Sequence, residues 1–179
     1  MTQTLTHNLD AILQSGEAPE TVFSKLLPVL GEILQCDRCF LYLRHPETQW
    51  GKVTHCWRRD DRCPEILDPD WKPEPENLTQ DDPMFAAAVQ AKPSVYVEDV
   101  ETASPEVVNA QFERENFGHR ALIHAHLSHN GQTWGILQPC VFDQPRSWTE
   151  ADHALMERIE AAITPLAIAY VQTHYIKPD

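Results

Sequence analysis

Residues 120–142 carry two runs of strand-like alternation joined by Asn130-Gly131. Asn-Gly suits a type I′ turn, the connection that two-residue β-hairpins favour. The runs 120–128 and 134–142 are therefore expected to pair as an antiparallel hairpin. On a strand, side chains two residues apart share a face, so His124 and His126 are expected to point the same way.

A second hairpin is expected earlier. Cys39-Phe40-Leu41-Tyr42-Leu43 is apolar and aromatic and reads as a strand. Residues 45–49 have turn composition, and 51–57 read as the return strand. Ahead of this hairpin, residues 5–34 read as helix in two pieces, broken at Ser15-Gly16. Val22, Phe23, Leu26, Leu27, Leu30 and Leu34 fall at helical spacing there, and Pro28 predicts a kink or restart.

Between the hairpins, residues 58–83 contain Pro64, Pro69, Pro73, Pro75 and Pro83, which exclude long regular elements. So long a loop inside a domain is usually functional or mobile. A short helix is expected at 85–90, a strand at 95–97 and a helix at 105–116 stopped by Gly118. Thr149-Glu150-Ala151-Asp152 approximates a capping box, with Asp in place of Glu. It opens a last helix with an apolar stripe of Ala154, Leu155, Ile159, Ala162 and Ile163, which Pro165 is expected to bend. Antiparallel strands bracketed by terminal helices make an α+β domain.

Charge removes some function classes. The 14 Lys and Arg against 27 Asp and Glu give a net charge of −13. Nucleic acid or an anionic membrane surface would call for a basic patch instead. No apolar run approaches the ~20 residues of a membrane span, and no basic-then-apolar leader opens the chain, so a cytoplasmic location is expected. Five cysteines cannot all pair within one chain, and reduced thiols are the simpler expectation. Cys36-Asp37-Arg38-Cys39 has the C-x-x-C spacing of zinc and redox sites but lacks a second such pair. G-x-S-x-G, P-loop and G-x-G-x-x-G words are all missing, and no enzyme is expected.

Five words in order resemble the GAF domain, and more narrowly the bilin-binding GAF domains of phytochromes and cyanobacteriochromes. They are Asp37-Arg38-Cys39-Phe40-Leu41-Tyr42 with Trp50-Gly51-Lys52-Val53; Asp82-Pro83-Met84-Phe85, similar to the Asp-x-Cys-Phe word of one cyanobacteriochrome group; Arg120-Ala121; Asn130-Gly131-Gln132-Thr133-Trp134-Gly135-Ile136-Leu137; and Pro145-Arg146-Ser147-Trp148 with Glu150 and later Ala167-Ile168-Ala169. The resemblance implies an antiparallel central sheet with the N- and C-terminal helices packed on one face. It divides the chain into an N-terminal helical segment at 1–35, a GAF domain at 36–172 whose last helix covers about 149–172, and a tail at 173–179.

The resemblance also implies a sensory or regulatory module with a pocket for a small organic ligand, signalling through an unidentified partner protein. Relatives attach bilin through a Cys-His pair shortly before the Arg-Ala strand, but here Val107-Val108-Asn109-Ala110-Gln111 stands in that region. Met84 replaces the cysteine of the Asp-x-Cys-Phe word, and residues 1–35 contain no cysteine. A thioether needs a thiol, so the expectation is a non-covalently held tetrapyrrole or a lost chromophore. His124 and His126 would face the pocket, with Cys140 on the partner strand and Asp82, Met84, Phe85 and Trp57 nearby. Three alternatives for the histidines stay open: ordinary hydrogen-bonded strand residues, contacts to an organic ligand, or metal ligation together with Cys140. A ligand-free interaction module, its pocket filled by Trp57, Phe85 and Met84, and a metal or redox sensor using these residues or Cys36 and Cys39 are the rival functions. The terminal helices are expected either to pair in a homodimer or to pack on the chain's own sheet.

Overall fold

The computed structural model describes residues 2–177, with side chains from Thr4 onward; residues 178 and 179 of the expected tail lie outside the described residues. Two helices open the chain, α1 (Thr2–Leu13) and α2 (Pro19–Ile33). The break falls where Ser15-Gly16 predicted it, with Gly16 in the left-handed region at φ 68°. Pro19 sits in the first turn of α2, where its missing N–H costs nothing. Pro28, expected to kink or restart the helix, lies within a single continuous α2. Leu26, Leu27 and Leu30 are buried beside it, and their packing holds the turn that one lost hydrogen bond would loosen.

The strands are β1 (Arg38–His45), β2 (Trp50–Arg58), β3 (Lys72–Pro73), β4 (Val95–Val97), β5 (Ala121–His129) and β6 (Gln132–Val141). They form one sheet in the order β3-β2-β1-β6-β5-β4, and every neighbouring pair is antiparallel. The β5–β6 turn has Asn130 at φ 52° and Gly131 at φ 75°, the positive pair that a type I′ turn requires. Short helices α3 (Leu78–Asp81), α4 (Pro83–Val89) and α5 (Ala110–Asn116) precede the long α6 (Glu150–His174). The helix expected over 105–116 is only its second half. Asn109 takes an extended conformation and accepts the Phe112 N–H, so it caps a shorter helix.

Thr149 and Asp152 form the full reciprocal capping box of α6. That helix runs through Pro165 to His174. No helix among the described residues is long and apolar enough to cross a membrane.

The sheet separates two apolar layers. Cys39, Leu41 and Leu43 of β1, Ala121, Ile123, Ala125 and Leu127 of β5, and Leu137 of β6 pack under Leu9, Phe23, Leu26, Leu30, Ile159 and Ile163 of α1, α2 and α6. This is the expected α+β arrangement, with the terminal helices sharing one face. The opposite face carries Phe40, Leu122 and Cys140 under Met84, Val100 and Val108, and Ile136 under Phe85 and Ala88.

Alternation fails at two bulges. Between β1 and β2 the register passes from Leu41↔His55 to Tyr42↔Val53, leaving Thr54 as an extra residue. Between β5 and β6 it passes from Leu127↔Gly135 to Ser128↔Thr133 and skips Trp134.

Candidate functional site

On the sheet face away from the long helices lies a cleft of about 350 Å³. Its floor is built from alternate residues of neighbouring strands: Phe40 and Tyr42 of β1, Ile136 and Gln138 of β6, and His124 of β5. Phe85 and Leu78 wall it from α4 and α3, Phe112 and Phe117 from α5 and its end, and residues 72–75 from the strand-like strap beside β2. A volume of this order lies at the small end of the range for small-molecule sites.

Two buried polar side chains open onto the floor. Gln138 is 3% exposed, and its side-chain amide has no hydrogen-bond partner among the described residues. His124, also 3% exposed, holds Nδ1 2.8 Å from Nε2 of His126. Nδ1 of His126 is in turn 2.8 Å from the Lys92 carbonyl oxygen, which can only accept. Burial pushes the pKa of His124 well down, with His126 and His119 adding to the effect, and burial also lowers that of His126. Both rings are therefore neutral at pH 7. His126 donates from Nδ1 to Lys92, and His124 donates from Nδ1 to His126. Nε2 of His124 is left as an unprotonated acceptor on a side chain that lines the cleft.

Carboxyl groups surround this floor. Glu74 is clamped by Arg44 at 2.5 and 2.9 Å and receives the Tyr42 hydroxyl at 3.1 Å. Asp68 pairs with Lys72 at 2.5 Å and accepts the Val53 N–H at 2.8 Å. Asp82 caps α4 by accepting from the Met84 and Phe85 N–H groups. Burial and then repulsion from Glu113 push its carboxyl up to about 7. Glu113 is buried, which raises its pKa to about 8, and its Oε2 lies 2.5 Å from Nε2 of His119. Burial, followed by the Arg38 charge, pulls His119 down to about 3. This pair is therefore a neutral acid donating to a neutral imidazole.

The residues singled out in the sequence separate into groups. His124, Phe85 and Asp82 line the cleft. Met84 is buried in the layer behind it with Phe40 and Val108. His126 borders a different groove, against Glu157, Glu160 and Thr164 of α6. Cys140 is fully buried in the same layer as Met84, with its thiol directed to the Gln138 carbonyl oxygen. Trp57, expected at the pocket, is on the opposite face. Its ring lies over Gly31 of α2, where any Cβ would come within 2.0 Å of it. The extra residue Thr54 at the β1–β2 bulge puts it there.

Among the described residues no group of three or more His, Cys, Asp or Glu side chains is placed to hold a metal ion. His124, His126 and Cys140 thus do not converge. Cys36 and Cys39 are free thiols in the helix-side core. Burial raises Cys36 to about 12 and Cys39 well above its ordinary value, which suppresses thiolate chemistry.

Gln138 and Glu113 were not picked out from the sequence. A polar Gln138 within the apolar run Ile136-Leu137-Gln138-Pro139-Cys140 was a usable signal. Glu113 carried none, since a glutamate on a short polar helix reads as solvated.

Comparison with known proteins fits this architecture. The GAF domain family model matches residues 18–163. Among solved structures, the GAF domain from an Acinetobacter phosphoenolpyruvate-protein phosphotransferase superposes with a TM-score of 0.71 at 12% identity, covering 99% of this chain and 100% of that one. The phycoerythrobilin-bound GAF domain of a cyanobacterial phytochrome gives 0.70 at 18% identity, with 97% and 96% covered. The GAF domain of the cyanobacteriochrome TePixJ gives 0.64 at 16% identity, with 88% and 93% covered. At these identities the structural likeness speaks for the fold alone. No curated protein sequence matches the chain significantly. The family match takes in α2, the whole sheet and the first half of α6, and the chain belongs to the GAF domain family.

Proposed function

We propose that the chain is a non-catalytic, cytoplasmic sensory or regulatory module that holds a small organic ligand non-covalently in the cleft over β5 and β6. One observation carries the reading: Gln138 and His124 are buried on the cleft floor, with hydrogen-bonding atoms that no group among the described residues uses. Both open onto the cleft, so an occupant with matching donors can bond them there. The occupant biases the arrangement of the 72–85 wall, and a partner protein or a second copy of the chain reads the resulting population shift.

Non-covalent attachment follows from the thiols. Among the described residues no cysteine lines the cleft, and Met84 and residues 107–111 offer none. The test is co-expression with a bilin-producing pathway and, separately, supply of haem, with absorption spectra then recorded for native and acid-urea-denatured protein. No colour is expected to survive denaturation. Colour covalently retained in acid urea would overturn the reading.

A further inference from the structure

The charge around the cleft deepens the proposal of a ligand-holding module and rests on it. We propose that the ligand is an organic ammonium ion carrying an aromatic or apolar body, and not an anionic tetrapyrrole.

Five carboxyl groups line the cleft, those of Asp68, Glu74, Asp81, Asp82 and Glu113. The one lysine or arginine among the described lining residues, Lys72, is already held by Asp68 at 2.5 Å and by the Pro69 carbonyl at 3.0 Å. Arg44, behind Glu74, is spent on that carboxylate and on the Thr133 carbonyl at 3.0 Å. Propionate groups entering here would meet the Asp68, Glu74 and Asp81 carboxylates with no free cation among the described lining residues, and burying an unpaired charge is costly. An ammonium ion meets the reverse. Asp81 and Asp82 stand at the mouth and wall, and the Nε2 of His124 and the Gln138 amide oxygen both accept from an N–H donor.

The rest of the lining selects the body of the ligand. Phe40, Tyr42, Phe85, Phe112 and Phe117 present rings on several sides. Such rings attract a cation over their faces and bury an apolar group by area. Gln138, whose side chain has no partner among the described residues, and His124, bonded through Nδ1 alone, are both almost wholly buried and distinguish this from a solvated acidic surface.

The test compares three probes sharing a phenethyl body by isothermal titration calorimetry on the full chain: phenethylammonium, neutral 2-phenylethanol and anionic 3-phenylpropanoate, with biliverdin as a fourth arm. Phenethylammonium is expected to bind about tenfold or more tighter than either analogue and tighter than biliverdin. Asp81→Asn, an exposed position, is expected to weaken it about threefold. Lys72→Gln, also exposed, is expected to tighten it, because it frees Asp68; a merely structural role for Lys72 would not produce that sign. Tighter binding of 3-phenylpropanoate or biliverdin overturns the charge assignment and leaves the cleft as a ligand site. No saturable binding of any of the four overturns both.

Discussion

Nδ1 of His124 lies 2.8 Å from Nε2 of His126, so the two imidazoles on this face of β5 bond to each other rather than converge on a third atom. With His126 anchored to the Lys92 carbonyl, the proton order is fixed, and both Nε2 atoms are unprotonated. Long-range ¹H–¹⁵N spectra are expected to show this tautomer for both rings at neutral pH, with any titration falling below the ordinary imidazole value, since burial lowers both pKa values. His126→Ala removes the acceptor of a buried N–H and is expected to cost about 1–3 kcal/mol in urea unfolding. Titration of either ring near the ordinary value of about 6.5 would contradict the arrangement.

The Arg44–Glu74 clamp predicts an asymmetry. Its side chains are 5% and 7% exposed, and the pairing is bidentate. Glu74→Ala leaves a buried guanidinium without its anion and is expected to destabilise by about 3–5 kcal/mol. The double variant Arg44→Met with Glu74→Leu is expected to cost much less than the single one, by the same urea measurement.

Stability is expected to peak near neutral pH. Asp82 and Glu113 have folded values raised to about 7 and about 8, so the native state keeps protons that the unfolded state releases. Their contribution is fully present below the ordinary carboxyl value and is lost as pH rises through 7 and 8. His119, lowered to about 3, works the other way, as do His124 and His126, whose pKa values are also lowered: their contribution is lost as pH falls below about 6.5. Urea midpoints measured from about pH 5 to about pH 9 should trace a dome. Glu113→Gln should flatten its alkaline side. An unchanged alkaline limb in that variant would place the titrating group elsewhere.

Much of the fold was legible from local rules, and the failures have local causes. The Asn130-Gly131 turn and the Thr149–Asp152 capping box follow from short-range geometry that tertiary packing did not alter. The shared face of His124 and His126 followed from strand alternation. Their mutual hydrogen bond did not, because it depends on rotamers and on Lys92, which is distant in sequence. Trp57 was expected near the pocket, and uninterrupted alternation from Val53 would indeed put 53, 55 and 57 on one face. The bulge at Thr54 moves His55 and Trp57 to the helix side and Cys56 to the cleft-side layer. Glu113 was invisible because its burial depends on residues 38, 82 and 119 closing around it.

Gly31→Ala tests the Trp57 placement. A Cβ there would meet the Trp57 ring at 2.0–2.7 Å. Overpacking of this kind is expected to cost about 1–3 kcal/mol, with a change in Trp57 near-ultraviolet circular dichroism. A neutral effect on both would mean that Trp57 does not cover α2.

Where a ligand sits is decided by the amide shift map of the ¹⁵N-labelled chain titrated with phenethylammonium. Saturable shifts centred on His124, Gln138, Phe85 and Phe117 are expected. Shifts centred on Leu26, Ile159 and Ile163 of the opposite layer, or none at saturating probe, would contradict a ligand site in the cleft.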